Sequence, residues 1–440
     1  MNNKYKKKIG IFGLGISGVS SFKFLRESAR KIICWDDFDT KRNKFDQQFL
    51  LPISDLKWQQ LDMIVISPGI PKSHAVFLLA TRHNILIFSD IQIFLETNYD
   101  SEIIVITGTN GKSTTTALIG HILMENAQDY HIGGNIGLPV LSLPRHAKGY
   151  ILELSSFQLD LLEPINSTIA VLLNITPDHI DRHGSYSEYH RIKAKILMSD
   201  GLKVIGTSSI ASKELYDKLK NANEPRIIPV GIQPEAITGI SCSSKNLIDN
   251  FFDQESYSIP QLNNLIGVHN YENIAAAFAV CRALGISGKI IVKNLENFKG
   301  LPHRMQFIGS QGHLYFYNDS KATNTSSTAG SLSALENIFW LAGGMFKEKS
   351  LLPIEKSVKN IKKAYLFGKS RLLFAEYLKY KVEYVICNTM EEAFNMAVND
   401  ASLEKIKANI LLSPACTSLD QFKNFEDRGN NFINLYNAKF

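Results

Sequence analysis

The sequence predicts an α/β protein of three domains built on mostly parallel sheets, and three observations predict it. The chain has 440 residues and 45% of them are apolar, enough for about three cores at roughly 100 to 200 residues per domain. Short β-branched runs alternate with helical stretches, the signature of parallel strands covered by helices on both faces. Two glycine-rich turns each follow a strand and open a helix.

Taken in order, the predicted strands are residues 8–12, 31–35, 63–67, 85–89, 102–107, 149–154 and 169–175. The alternation resumes at 338–342, 363–367, 382–387 and 409–412, while the polar stretch 245–260 reads as an antiparallel patch or hairpin. Polar or Gly/Pro linkers near residue 98 and at Gly300-Leu301-Pro302 divide the chain into domains 1–97, 98–299 and 300–440. With 48 basic and 42 acidic residues the net charge of +6 carries no nucleic-acid footprint. Five scattered cysteines without a C-x-x-C pair argue against a disulfide framework or zinc knuckle and fit a reducing cytoplasm. Lys4 to Phe12 mimics a secretory leader, but Gly10, Gly13, Gly15 and Gly18 interrupt it. No apolar run approaches the roughly 18 to 20 residues of a membrane span, so no membrane insertion is expected.

Gly13-Leu14-Gly15-Ile16-Ser17-Gly18 follows the first strand, and Asp36-Asp37 ends the second. That is the context of a Rossmann-like nucleotide site: glycines let the backbone approach a diphosphate, helix amides bind it, and a carboxylate takes a ribose or base group. A ligand-free strand-to-helix turn is the bland alternative. Ser67-Pro68-Gly69-Ile70-Pro71 is either a second rim of that crevice or a plain turn.

The sharper motif is Gly108-Thr109-Asn110-Gly111-Lys112-Ser113-Thr114. It makes the central domain P-loop ATPase-like: glycines free amides to ring a phosphate, Lys112 reaches the outer phosphates, and the Ser113 or Thr114 hydroxyl holds Mg²⁺. It departs from the general Walker spacing, since Ile106 stands five places before Gly111. Glu153 at one strand end and His179 after another would share the carboxyl edge with this loop, a hard oxygen and an imidazole suited to Mg²⁺. Zinc on His179 and His183 lacks a third soft ligand. Tyr189, Lys193 and Lys195 lie on one helix, where a solvated cationic face is the plain reading. A dehydrogenase would leave Gly108 to Thr114 idle, and a nucleotide-sensing module would leave Glu153, His179 and Lys193 without purpose.

Together these motifs resemble the Mur ligase family. The matches are G-T-N-G-K-S-T at 108–114, G-G-N-I-G at 133–137, E-L-S-S-F-Q at 153–158, T-x-D-H-x-D-R at 176–182, Y-x-x-x-K-x-x-I at 189–196, H-N-x-x-N at 269–273 and L-P-H-R at 301–304. Asn318-Asp319-Ser320-Lys321-Ala322-Thr323-Asn324 and the run from Ser413 to Phe425 are close to signatures of the family's D-glutamate-adding branch. The resemblance implies a cytoplasmic, monomeric ATP-dependent ligase of peptidoglycan precursor synthesis, with ATP, UDP-N-acetylmuramoyl-L-alanine and D-glutamate as substrates and two Mg²⁺ sites. It also implies a Rossmann-like third domain.

Carried over by residue, the resemblance makes Lys112, Lys193, His179 and Arg304 catalytic, with Lys193 carrying a CO₂-derived carbamate that ligands a second Mg²⁺. Asn270, Asn273, Arg304 and Asp319 join Gly108 to Thr114 at ATP, Arg304 bringing the third domain onto the nucleotide. Metal ligands are Ser113, Thr114, Glu153, His179 and Lys193. The uridine substrate falls to Gly13, Leu14, Gly15, Ser17, Asp36 or Asp37, Ser67, Pro68, Gly69 and Asn135. D-Glutamate falls to Lys321, Thr323, Lys347, Ser418, Leu419 and Phe425, and His179 and Asp319 are the candidates for deprotonating its amine. Met345-Phe346 before Lys347 is bulkier than the small polar pair usual in the family.

Overall fold

A computed structural model describes residues 5–98, 100–232, 238–260, 262–348 and 350–440. Lys4 of the leader-like segment, Tyr99 of the first linker and the side chain of His269 lie outside the described residues. Among those described, the strands form three mostly parallel sheets, and the chain divides into two compact units. One comprises residues 1–258 and 272–291, the other residues 259–271 and 292–440.

The first unit holds two sheets. In the smaller, β1 (Lys8–Phe12), β2 (Lys31–Trp35), β3 (Met63–Ile66) and β4 (Leu86–Phe88) run parallel in the order β2-β1-β3-β4. Its first turn needs its glycines: Gly13 sits at φ +95°, and a Cβ on Gly18 would stand 1.8 Å from the Gly13 carbonyl oxygen.

The larger sheet comprises β5 (Glu102–Thr107), β6 (Tyr130–Gly134), β7 (Gly149–Glu153), β8 (Ile169–Leu172), β9 (Leu202–Gly206), β10 (Ile227–Gly231), β11 (Ile240–Cys242), β12 (Asn246–Asp249) and β13 (Glu255–Ser258). Their order is β13-β12-β11-β10-β9-β8-β5-β7-β6. The predicted antiparallel patch 245–260 is the β12–β13 hairpin, to which β11, outside that range, adds an antiparallel neighbour of β12. β5 lies between β7 and β8, and its Ile103, Ile104, Val105 and Ile106 are buried, each worth about 1.5 to 3 kcal/mol of apolar transfer. Its neighbours continue to opposite sides of it, so the loops after β5, β7 and β8 open at one topological switch point.

The second unit is built on β14 (Gln306–Gln311), β15 (Leu314–Asn318), β16 (Ile338–Gly343), β17 (Ile361–Phe367), β18 (Glu383–Ile386) and β19 (Ala408–Leu412), in the order β14-β15-β19-β16-β17-β18. Among the described strands of this sheet only the β14–β15 hairpin is antiparallel. Apolar clusters line both faces, one around Phe316, Phe339 and Phe394 and one around Trp340, Leu366 and Phe374. The Trp340 indole donates 2.8 Å to the Ser413 carbonyl, holding the loop after β19 against β16.

Candidate functional site

The P-loop leaves β5 at Thr107, whose hydroxyl donates 2.7 Å to the Leu154 carbonyl at the end of the neighbouring strand. Gly111 at φ +83° turns the chain into the helix Lys112–Glu125. A side chain at 111 would meet Asn273 Oδ1 at 2.2 Å, and the same oxygen accepts from the Thr115 hydroxyl at 3.3 Å. Asn273, 2% exposed, thus packs directly under the loop.

Residues after β8 clamp the other side. The predicted strand 169–175 ends at Leu172, and the backbone then turns so that the Asn174 carbonyl accepts from the Thr109 amide at 2.8 Å. The Asn174 side chain accepts from the Asn110 amide at 2.9 Å and donates to its carbonyl at 3.2 Å, while the Thr176 amide donates to Thr109 Oγ1 at 2.9 Å. Asn174 was not legible in the motifs, because its role is to mimic backbone for a loop 64 residues away. Lys112 Nζ curls back onto the carbonyls of Gly108 (2.9 Å) and Thr109 (2.8 Å), at the mouth of the loop.

Glu153 ends β7 fully buried, not as a solvated strand end. Its Oε1 accepts from the Asn135 amide nitrogen at 2.8 Å, and its Oε2 is buried with no hydrogen-bond partner. Asn135 also donates its backbone N–H to the Glu153 carbonyl at 2.8 Å, so the Gly-Gly-Asn-Ile-Gly loop and this carboxylate are one construction. A buried carboxylate oxygen without a donor is costly unless a cation meets it.

Lys193, from the helix Tyr186–Ala194, is 1% exposed. Its Nζ donates 2.8 Å to the Gly108 carbonyl and 3.3 Å to Thr107 Oγ1, and lies 4.9 Å from the centre of the Tyr189 ring. The cationic-face reading therefore fails for this residue. Burial, then the nearby Lys112 charge, hold its pKa well below the usual lysine value and favour the neutral amine.

His179 stands at φ 51° ahead of the short helix Ile180–His183, half exposed, with Asp178 Oδ2 3.5 Å from its Nε2. Its ring packs on Phe157 at 4.9 Å. Among the described residues no three His, Cys, Asp or Glu side chains cluster in a way that could hold a metal. A cation here would draw its ligands from Glu153 together with hydroxyls and groups brought by substrate or modification.

At the first glycine turn the two acidic residues part company. Asp36, 6% exposed, accepts the Leu14 amide at 2.6 Å on one oxygen and the Phe38 amide at 2.9 Å on the other. Asp37 is half exposed and pairs with His74 Nε2 at 2.9 Å. His74 Nδ1 accepts the Val76 amide at 3.1 Å, so the ring proton sits on Nε2 and is donated to Asp37. Ser67 Oγ donates 2.9 Å to the Gly13 carbonyl, tying the Ser67–Pro71 turn to the first glycine turn. Ser17 hydrogen-bonds the buried Asp90, whose carboxyl burial pushes upward. A cavity of about 400 Å³ adjoins the turn, lined by Leu14, Gly15, Ile16, Lys23, Lys41 and Lys44 among others. Arg182 Nη2 reaches the Ile70 carbonyl at 2.7 Å, linking this rim to the His179 loop.

In the second unit, Lys321 Nζ lies 3.8 Å from the centre of the Phe425 ring. Met345 and Thr417 exchange backbone hydrogen bonds of 2.9 and 3.0 Å, which brings the loops carrying Lys347 and Ser418 side by side. Ser418 is buried, whereas Lys347, Leu419 and Arg304 are exposed. Asp319 is buried, accepting from Ser331 Oγ (2.5 Å), Ser413 Oγ (2.8 Å) and the Met305 amide (3.1 Å). Asn270, also in this unit, donates 2.8 Å to the Ile266 carbonyl. Arg428 is fully buried behind the same loops and was not among the residues the motifs singled out.

A family model described as the Mur ligase middle domain matches residues 106–281, and one described as the Mur ligase MurD-like N-terminal domain matches residues 7–89. The UDP-N-acetylmuramoylalanine--D-glutamate ligase of Rickettsia bellii is 45% identical over 441 residues, covering 98% of each chain. The chain belongs to the Mur ligase family. A protein of the same name from Rhizobium meliloti is 38% identical, covering 97% of this Mur ligase and 95% of its own length. Among solved structures, a UDP-N-acetylmuramate-alanine ligase from Thermotoga maritima superposes with a TM-score of 0.60 at 17% identity, covering 99% of this chain and all of the other. That likeness is one of fold. Among the described residues of this Mur ligase, no helix is long and apolar enough to cross a membrane.

Proposed function

We propose that the chain is a cytoplasmic, monomeric ATP-dependent amide ligase that joins D-glutamate to the L-alanine carboxylate of UDP-N-acetylmuramoyl-L-alanine in peptidoglycan precursor synthesis. The observation that carries this reading is the convergence of the P-loop, the half-satisfied Glu153 and the buried Lys193 at one switch point, in a chain whose full-length relatives bear that ligase name. Residues 1–97 would hold the uridine substrate, 98–299 the ATP and 300–440 the amino acid. All five cysteines are buried free thiols, in keeping with a reducing compartment.

The reaction begins with an anion attacking an anion: the alanine carboxylate takes the γ-phosphoryl group of ATP, forming an acyl phosphate and ADP. The D-glutamate amine then attacks the acyl carbon, and phosphate leaves. Lys112 and the amides opening its helix supply positive charge where the transferring phosphoryl develops negative charge. The residues present fit a divalent cation, because Glu153 Oε2 is buried and awaits one. Ser113, Thr114, Glu153, His179 and a carbamylated Lys193 would hold Mg²⁺, which when bound neutralises the phosphates and orients them. The low pKa of Lys193 suits carbamylation, since only a neutral amine adds CO₂. Asn273 supports the P-loop from below, and Asn270, Arg304 and Asp319 complete the nucleotide contacts. Gly13, Leu14, Gly15 and Ser17 face the diphosphate and Ser67, Pro68 and Gly69 its other rim, with Asn135 near the reacting carboxylate. Lys321, Thr323, Lys347, Ser418, Leu419 and Phe425 receive D-glutamate.

The test is phosphate release from Mg-ATP with UDP-N-acetylmuramoyl-L-alanine, comparing D-glutamate with L-glutamate, L-lysine, meso-diaminopimelate and no amino acid. Release dependent on D-glutamate alone is expected; release with a different acceptor, or none at all, refutes the assignment. Lys112→Ala should abolish that turnover in a folded protein.

A further inference from the structure

Arg428 lies in the first turn of the helix Phe425–Lys439 and is 0% exposed. Its Nε donates 2.9 Å to Ser320 Oγ, and its Nη2 donates 2.8 Å to the Ser320 carbonyl and 3.0 Å to the Cys416 carbonyl. Ser320 Oγ in turn donates 2.8 Å to the Phe425 carbonyl. One guanidinium therefore ties together the chain after β15, the loop after β19 and the start of the last helix. Its remaining nitrogen, Nη1, is buried with no hydrogen-bond partner and points toward Gly344, where a Cβ would approach it to 3.3 Å. That is the loop after β16.

Among the described residues no carboxylate stands within ion-pair distance of Arg428; Asp420 and Asp319 act on it only from farther away. The half-buried Arg282 is treated differently: it pairs with both Asp249 and Asp253. An uncompensated buried cation is destabilising, and the positive end of a helix dipole makes it worse. A methionine would fill the same volume without the penalty. An anion seated over these loops would remove it.

We infer that Arg428 is a positioning residue that makes the amino-acid site selective for a dianionic acceptor: its fixed charge draws the acceptor's non-reacting carboxylate, and its fork sets the loops that grip it. The inference rests on the D-glutamate reading and names the residue behind its specificity. Lys347 is exposed and Lys321 and Thr323 half-buried, so with the buried Ser418 they would make the direct contacts, while Arg428 acts from beneath through Ser320, Cys416 and the helix start.

The experiment measures steady-state phosphate release by wild type, Arg428→Gln and Arg428→Lys, with D-glutamate and with D-glutamine as acceptors. Arg428→Gln should raise KM for D-glutamate by tens of fold, leave KM for ATP within about twofold and erase the preference for D-glutamate over D-glutamine. Arg428→Lys, which restores charge without the fork, should recover most of that preference but not all of the affinity. A merely structural role would lower the rates with both acceptors alike and leave their ratio unmoved, which would overturn the inference. So would a wild-type KM and preference in Arg428→Gln. Should Arg428→Gln not fold, the melting temperature of wild type and Arg428→Lys decides: D-glutamate must raise it and D-glutamine must not, and equal shifts overturn the proposal. Wild type turning over some other acceptor would instead refute the D-glutamate reading, and the inference with it.

Discussion

Lys193 Nζ donates 2.8 Å to the carbonyl of Gly108, so a lysine from a helix 85 residues downstream is built into the floor of the P-loop. The contact places the side chain against the loop proposed to hold the phosphates, and burial holds it toward the neutral form. A plain ammonium here would compete with a metal ion for the same anions; a carbamate would ligand it.

The first prediction follows from that contact. Lys193→Ala should lose turnover while keeping its fold, and millimolar acetate should restore part of it by occupying the place of the carbamate. Phosphate-release rates with and without acetate check it, and an unchanged rate on mutation removes the carbamate role.

Glu153 offers a complementary test, since one of its oxygens is satisfied by Asn135 and the other by no described residue. Glu153→Gln should cut kcat by roughly 10² to 10³, the usual scale for losing one stabiliser of developing charge. It should also weaken Mg²⁺ dependence while leaving the melting temperature unchanged or higher, because a buried uncompensated charge is gone. Calorimetry beside a Mg²⁺ titration distinguishes this from simple unfolding.

At the first glycine turn, Asp36 is occupied by two backbone amides, whereas Asp37 pairs with His74 and is the acid proposed to meet the base. His74→Asn keeps an acceptor for the Val76 amide but cannot reach Asp37, whereas His74→Gln extends a donor to it. UDP binding followed by titration calorimetry should weaken several-fold in the first variant and little in the second. Equal affinities would assign His74 to helix capping alone.

Asp319 makes stability depend on pH. Burial pushes its carboxyl up to about 6 against the donors from Ser331, Ser413 and Met305. The folded state therefore binds the proton more tightly than the unfolded one, so its contribution is present below the ordinary aspartate range. That contribution is lost as pH rises through about 6 and is level beyond. Asp319→Asn should lack this fall, gaining on wild type by on the order of 2 to 3 kcal/mol across that window. Urea unfolding at several pH values between 4 and 7 measures the difference.

Much of this protein was legible in its residues. The runs 8–12, 31–35 and 102–107 are strands with those very ends, because each is an apolar β-branched stretch bounded by glycine or a polar break. β6, with two glycines, and β11, of three residues, were not legible, nor was β14, a polar edge strand. Their pairing rests on partners already in the sheet and not on their own pattern.

The sequence by itself determined the glycine turns, since φ > 0 and close backbone approach are local demands that only glycine meets, and with them the P-loop and the family. Tertiary structure alone decided which polar groups are left wanting. That among the described residues Glu153 keeps one bare oxygen and Arg428 has no counter-ion, and that Asp36 is spent on amides while Asp37 is not, are all facts about neighbours tens to hundreds of residues away. Desolvation and hydrogen-bond pairing are properties of the folded surroundings, which no local pattern of residues encodes.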